Sequence, residues 1–353
     1  MSDESLHPWN EPLAHTLARD RDRLPHGLLL AGPRGLGKNA FARWLAEWLL
    51  CAAPAANDRA CGHCQSCQLL GVGSHPDLHV VQPEAVYKSS PGLLARYALR
   101  YPPEDKGKDS KDSTVIRIDQ IRALIEASQT RPQIAARKVL ILSPADTLNT
   151  NAANSLLKLL EEPPPDSQLI LVADRPARLP ATIRSRCTRV EFRLPDANVA
   201  GAWLQVQGLS GADAERLLAL AGGAPLEAQA LAGSEFLAQR ETLIADLEGL
   251  LAGRGDPVAC AGRWKEIGIE RCLRWLQGWL GDLIRIGVPG SPGALHNPDV
   301  AARLQALEKR LDSKALFRFS DLVGRARQLL GGGLDEQLIL EDTLIRWTEL
   351  RTA

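Results

Sequence analysis

The stretch Leu28-Leu29-Leu30-Ala31-Gly32-Pro33-Arg34-Gly35-Leu36-Gly37-Lys38-Asn39 decides the fold. Its apolar start suits a strand buried on both faces, and a helix-period pattern from Ala40 to Leu50 follows it. Between them, Gly32 to Lys38 keeps the G-x-x-x-x-G-K spacing of a phosphate-binding loop, in the strand-then-helix context such a loop requires. Glycines let backbone N–H groups turn inward around a β-phosphate, and the helix N-terminus adds partial positive charge. Lys38 would reach the terminal phosphates. The next position calls for a Ser or Thr hydroxyl to hold Mg²⁺; here it is Asn39. The competing reading is a loop that keeps its fold without binding nucleotide.

Further apolar runs lie downstream, at Leu78–Val81, Lys138–Leu142 and Gln168–Ala173. Helical patterns separate them, at Asp119–Ser128 and at Asn151–Glu162, the latter stopped by Pro163-Pro164-Pro165. Strand and helix in alternation predict an α/β domain with a parallel sheet over residues 1–194. From Leu194-Pro195-Asp196 the strand signals fade. Residues 195–234 read as a small helical lid with short helices around Gly222-Gly223. Residues 235–353 read as a helical collar, with helices expected at 235–252, 269–287, 298–311, 313–330 and 334–350. Within it Trp275 and Trp279 share a helix face, in the core or in subunit packing. The charged run Glu104 to Ser113 reads as a solvated, mobile loop.

In a working site of this class, a later strand ends in an Asp-Glu pair that holds Mg²⁺ and polarises water. The matching strand, Val139–Leu142, is followed by Ser143-Pro144-Ala145-Asp146. Serine and proline replace both acids, and Asp146 stands too far on. Turnover should stop even if ATP binds.

Four cysteines, Cys51, Cys61, Cys64 and Cys67, have the spacing C-x9-C-x2-C-x2-C. Four thiolates in this range can close a tetrahedron around a structural Zn²⁺. An iron–sulfur cluster is disfavoured, because no further Cys followed by Pro lies downstream, and unmetallated thiols are the remaining alternative. His63 and His75 read as non-ligands. Residues 174–193 hold Arg175, Arg178, Arg184, Arg186, Arg189 and Arg193 against Asp174 and Glu191. Arg186, in Ser185-Arg186-Cys187, suits a γ-phosphate in a neighbouring subunit. A surface arginine paired with an acid is the plainer alternative.

The chain has 353 residues, with 42 basic and 42 acidic side chains. Residues 1–194 carry 25 basic and 21 acidic, a net of +4, and residues 195–353 carry 17 and 21, a net of −4. A neutral chain argues against a protein that coats DNA by bulk charge. No basic leader and no long apolar stretch appears, so a cytoplasmic protein without a membrane segment is expected.

Taken together, four features resemble the bacterial clamp-loader branch of the AAA+ ATPases. They are the loop Gly32–Asn39, the module Cys51–Cys67, the run Asn154-Ser155-Leu156-Leu157-Lys158-Leu159-Leu160-Glu161-Glu162-Pro163-Pro164, and Ser185-Arg186-Cys187. The resemblance implies a RecA-like domain with a zinc module (51–67), a lid and a collar. It implies a ring of five subunits, with ATPase (gamma/tau) and delta subunits as partners, that opens the sliding β clamp and places it on primed DNA. It casts Arg186 as an arginine finger acting in trans, within a DNA-directed DNA polymerase holoenzyme, in a subunit that does not itself hydrolyse ATP. ATP binding at Gly32, Gly37, Lys38 and Asn39 stays open. The lid also departs from an active pattern, with Gly222-Gly223-Ala224-Pro225 where motor subunits carry an arginine. An active ATPase motor and a zinc-dependent nucleic-acid-binding module are the alternatives. The latter is disfavoured because residues 57–75 offer one arginine, Arg59, and no aromatic.

Overall fold

A computed structural model describes residues 5–351 except 20, 57, 91, 105–111, 234, 289–294 and 331–334. Most of the charged run expected as a loop therefore lies outside the described residues. The chain divides into two compact units, residues 1–199 and 200–353. The division falls a few residues beyond the boundary expected at 194.

The first unit is built on five parallel strands: β1 (Gly27–Ala31), β2 (Leu78–Val81), β3 (Lys138–Leu142), β4 (Ser167–Ala173) and β5 (Thr188–Glu191). Their order across the sheet is β2-β3-β4-β1-β5. All residues of β1, β2 and β3 are buried, which is why these strands read as mainly apolar runs, interrupted by His79 in β2 and opened by Lys138 in β3. β5 was not legible in the sequence. It is an edge strand in which only Val190 is buried, so it has no apolar run to detect.

Helices cover the faces. Lys38–Leu50 buries Phe41, Trp44, Leu45 and Trp48, and Phe41 meets Phe192 edge to face at 5.1 Å between ring centres. On the other side, Ile118–Ser128 and Thr150–Glu161 pack against each other over a core of Leu29, Leu140, Leu171, Ile121, Leu156 and Ile183. Asn149 caps the second of these, its side chain accepting from the Ala152 N–H at 2.8 Å.

A buried polar seam lies along β2. Asp77 is fully buried, and its carboxylate accepts from the N–H groups of Gln133, Ile134 and Ala135 at 2.7, 2.8 and 2.9 Å. Burial alone would push its pKa up, but these three N–H groups outweigh burial and hold it below the usual carboxylate range. His79 is buried with its Nδ1 at 2.5 Å from the Tyr101 hydroxyl. Burial, reinforced by the positive charges of Lys138 and Arg100, pushes His79 down to about 4.

The second unit is helical among its described residues. Short helices Gly211–Leu220 and Pro225–Ala232 flank Gly222 and Gly223, both in the left-handed region. Further helices follow at Phe236–Leu251, Pro257–Ile267, Ile269–Gly287, Ala301–Glu308, Ser313–Leu329 and Glu336–Thr348. The helix Pro257–Ile267 was not expected. It buries only Cys260, Ala261 and Trp264, too sparse a stripe to register as periodic, although Asp256 caps it and Pro257 opens it. Trp275 and Trp279 are buried, which assigns that stripe to the core. Arg240 lies 5.0–5.6 Å from the ring centres of Phe236, Trp275 and Trp279 and pairs with Asp299 at 2.9 Å. Three rings and an ion pair thus satisfy a cation that is almost fully enclosed. Among the described residues no helix is long and apolar enough to cross a membrane.

The His79 environment predicts a pH dependence. The folded state keeps the ring neutral while the unfolded chain protonates it near pH 6.5, so stability is present above pH 6.5 and is lost as pH falls toward 4. The expected loss is about 3 kcal/mol over that interval. Urea unfolding between pH 7 and 4.5 should show this slope in the wild type and a shallower one in His79→Asn.

Candidate functional site

The phosphate loop leaves the carboxyl end of β1, where the Gly32 N–H donates to the Ala173 carbonyl at 3.3 Å. Gly37 sits at φ 79°, and a Cβ there would meet the His7 ring at 2.2 Å, so a side chain is excluded twice over. The segment before the first helix packs on the loop. The Trp9 indole N–H and the Asn10 amide donate to the Leu36 carbonyl at 3.0 and 2.8 Å.

Lys38 is buried at the start of its helix. Its ammonium donates to the carbonyls of Gly32 and Pro33 at 2.8 and 2.6 Å and pairs with Asp174 at 2.7 Å. An ammonium has three N–H donors, so these three acceptors satisfy it within the chain. Asp174 follows β4 directly, at the same edge of the sheet. Asp146, the acid that stood too far along the sequence, receives the N–H groups of Asp174 and Arg175 at 3.0 and 3.2 Å. It shapes the turn that carries Asp174. The Ser143 hydroxyl donates to the Asn39 side-chain oxygen at 2.6 Å. The two residues that replace the Mg²⁺-holding groups are therefore bonded to each other.

The four sequence-predicted cysteines come together. All four Sγ atoms lie within 4.8 Å of one another, with separations of 3.9 Å for Cys51–Cys64, 3.9 Å for Cys61–Cys67 and 3.5 Å for Cys64–Cys67. Metal–sulfur bonds of ~2.3 Å at tetrahedral angles place sulfurs about 3.8 Å apart. The set therefore fits a metal with four thiolate ligands, and all four cysteines are free of disulfides. Gly62 at φ 78° makes the knuckle turn, and the N–H groups of Cys61 and Cys64 point at the sulfurs of Cys51 and Cys61, at 3.2 and 3.4 Å. Burial opposes ionisation of Cys64, but the backbone N–H groups of Cys67 and Ala52 and the neighbouring thiols hold it down at about 6. Burial pushes the Cys51 and Cys67 thiols up. His63 and His75 lie outside the cluster. His63 contacts the Cys61 carbonyl, and His75 is engaged by Ser66 and by the Asp77 N–H.

Arg186 lies just after the single helical turn Ala181–Arg184, on the surface of the first unit. It pairs with Glu161 at 2.6 Å, and its other terminal nitrogen donates to the Thr182 carbonyl at 3.0 Å. In the single chain the plainer expectation, an arginine paired with an acid, therefore holds. Pro225 is the first residue of the helix Pro225–Ala232.

Sequence reasoning missed Asp174, which was counted only as an acid among arginines. A polar residue directly after a buried parallel strand was the available signal, since ligands in such sheets bind at the carboxyl ends of the strands. It also missed Glu161, which sits inside a motif quoted for family resemblance alone.

Parallel strands in this order, a phosphate loop after the strand β1 and a helical unit later in the chain define the AAA+ class of proteins. Two family models match the chain, "DNA polymerase III, delta subunit" over residues 11–196 and "DNA polymerase III, delta subunit, C terminal" over residues 234–349. DNA polymerase III subunit delta′ of Pseudomonas aeruginosa is 34% identical over 350 residues, covering 98% of each chain. The Escherichia coli subunit delta′ is 29% identical over 354 residues, covering 96% of this chain and 94% of that one. A crystal structure of a DNA polymerase III gamma subunit-related protein from Thermotoga maritima aligns with a TM-score of 0.42 at 17% identity, over 96% of this chain and 99% of that one. The chain belongs to the DNA polymerase III subunit delta′ family.

The thiolate geometry predicts one tightly held metal ion per chain, and Cys64→Ser should lose most of it. Elemental analysis after dialysis, with a thiol titration before and after a strong chelator, checks both.

Proposed function

We propose that this protein is a clamp-loader subunit that does not hydrolyse ATP and that lends Arg186 to the nucleotide of an adjacent ATPase subunit. The observation that carries this reading is the internal closure of its own phosphate site. Lys38 is neutralised by Asp174, and Asn39 bonds Ser143 where a metal would need a hydroxyl and a carboxylate. With Pro144 in the second acidic position, water has no base to orient it. An active motor of the same class would need those groups.

In this proposal residues 1–194, 195–234 and 235–353 serve as the RecA-like domain, the lid and the collar. The ring holds five subunits, with gamma/tau and delta partners, and it opens the sliding β clamp on primed DNA. The ion held by Cys51, Cys61, Cys64 and Cys67 is zinc and is structural, since four thiolates leave no open position. Zinc contributes at most the ~10–16 kcal/mol of folding free energy known from zinc-finger peptides. The protein works in the cytoplasm, where disulfides are rare and free thiols persist.

Two outcomes test this. The purified chain should show no ATP turnover, and titration with ATP should give no Mg²⁺-dependent gain in affinity. Arg186→Ala should leave the reconstituted complex assembled while lowering its DNA-stimulated ATPase. The loss should be smaller than the ~10³–10⁵ an arginine finger contributes in GTPases, because other sites in the ring keep theirs. Turnover by the isolated chain would falsify the reading.

A further inference from the structure

Gly27, at the start of β1, is a point where three elements meet. A Cβ there would lie 3.1 Å from Leu160 Cδ2, 3.4 Å from the Arg186 carbonyl oxygen and 3.5 Å from Cys187 Sγ. The end of the helix Thr150–Glu161 and the Ser185-Arg186-Cys187 turn thus both close in on the strand where it lacks a side chain. The His26 ring adds a hydrogen bond to the Leu160 carbonyl at 2.9 Å. Cys187 is buried and anchors the turn next to Arg186. These contacts fix the last residue of the helix, Glu161, beside the arginine, and their side chains meet at 2.6 Å.

We infer that Glu161 is the positioning residue of the trans-acting arginine. Its carboxylate and the Thr182 carbonyl engage the two terminal nitrogens of Arg186. The guanidinium has five N–H donors, so these bonds leave others for an incoming phosphate oxygen. The Arg186 side chain remains 37% exposed while held on both sides. Arg178 and Arg184, exposed nearby, have no ion pair among the described residues. A surface ion pair contributes little to stability. What this one supplies is orientation: a long side chain with many rotamers is confined to one direction before the neighbour docks. The inference rests on the reading of Arg186 as a residue that acts on the neighbouring subunit's nucleotide.

The test has two arms. In the isolated full-length chain, peptide-resolved phenylglyoxal labelling of Arg186 should accelerate about threefold or more in Glu161→Gln, since the pair no longer shields the guanidinium. In the reconstituted complex, Glu161→Gln should lower kcat of the DNA-stimulated ATPase about threefold to tenfold, with KM for ATP changed less. Glu161→Asp should recover part of the loss, and in an Arg186→Ala background Glu161→Gln should have no further effect. Unchanged labelling together with unchanged kcat overturns the inference, as does an equal loss in both backgrounds. If Arg186→Ala itself leaves kcat unchanged, the trans reading has failed. That failure is separable, because labelling still responds to Glu161→Gln.

Discussion

The parallel pairing of β1 between β4 and β5 is the constraint on which the rest of the first unit depends. Its register sets Ala31 beside Ala173 and Gly27 beside Leu169. The carboxyl end of β1 thereby places the phosphate loop next to the turn carrying Asp174, so that Lys38 reaches a carboxylate from a distant part of the chain. Its amino end places Gly27 against the last turn of the helix Thr150–Glu161 and against the arginine turn. One buried strand organises both of these charged pairs, Lys38–Asp174 and Arg186–Glu161, at opposite ends.

At the carboxyl end, the electrostatics run in a closed circuit. Asp146 gives up its acceptors to the backbone of residues 174 and 175, Asp174 gives its charge to Lys38, and Asn39 takes the Ser143 hydroxyl. In a hydrolysing site the same positions would be held partly by phosphate oxygens and a metal. Here the chain supplies the partners itself, so the loop keeps its shape with Lys38 buried and charged. A buried cation without such a partner would be strongly destabilising, which gives the Lys38–Asp174 pair a structural role in the loop. The cysteine knuckle follows the loop's own helix and is anchored by it: Cys51 caps the C-terminus of Lys38–Leu50.

Much of this was legible beforehand. Four of the five strands, the helices that follow the phosphate loop and β3, and most of the helices after residue 235 announce themselves through mainly apolar runs or helical periodicity. The cysteine spacing forecast a cluster, and the four thiols do converge. β5 and the helix Pro257–Ile267 escaped, because each buries too few side chains to impose a period on the sequence. Their formation is driven from outside: by hydrogen bonding to β1 in one case and by packing of Trp264 in the other.

By itself, the sequence determined which chemical groups are available: a lysine after glycines, amide and hydroxyl in place of metal-holding groups, four thiols, and an arginine in a tight turn. Composition of this kind is local, and local spacing carries it. Only the tertiary structure decided what those groups spend their bonds on. Lys38 with Asp174, Asn39 with Ser143 and Arg186 with Glu161 are pairs separated by 25 to more than 100 residues, and no short-range pattern encodes them. A parallel sheet brings such residues together because every crossover returns the chain to the same edge, so partners are chosen by strand order and not by distance along the chain.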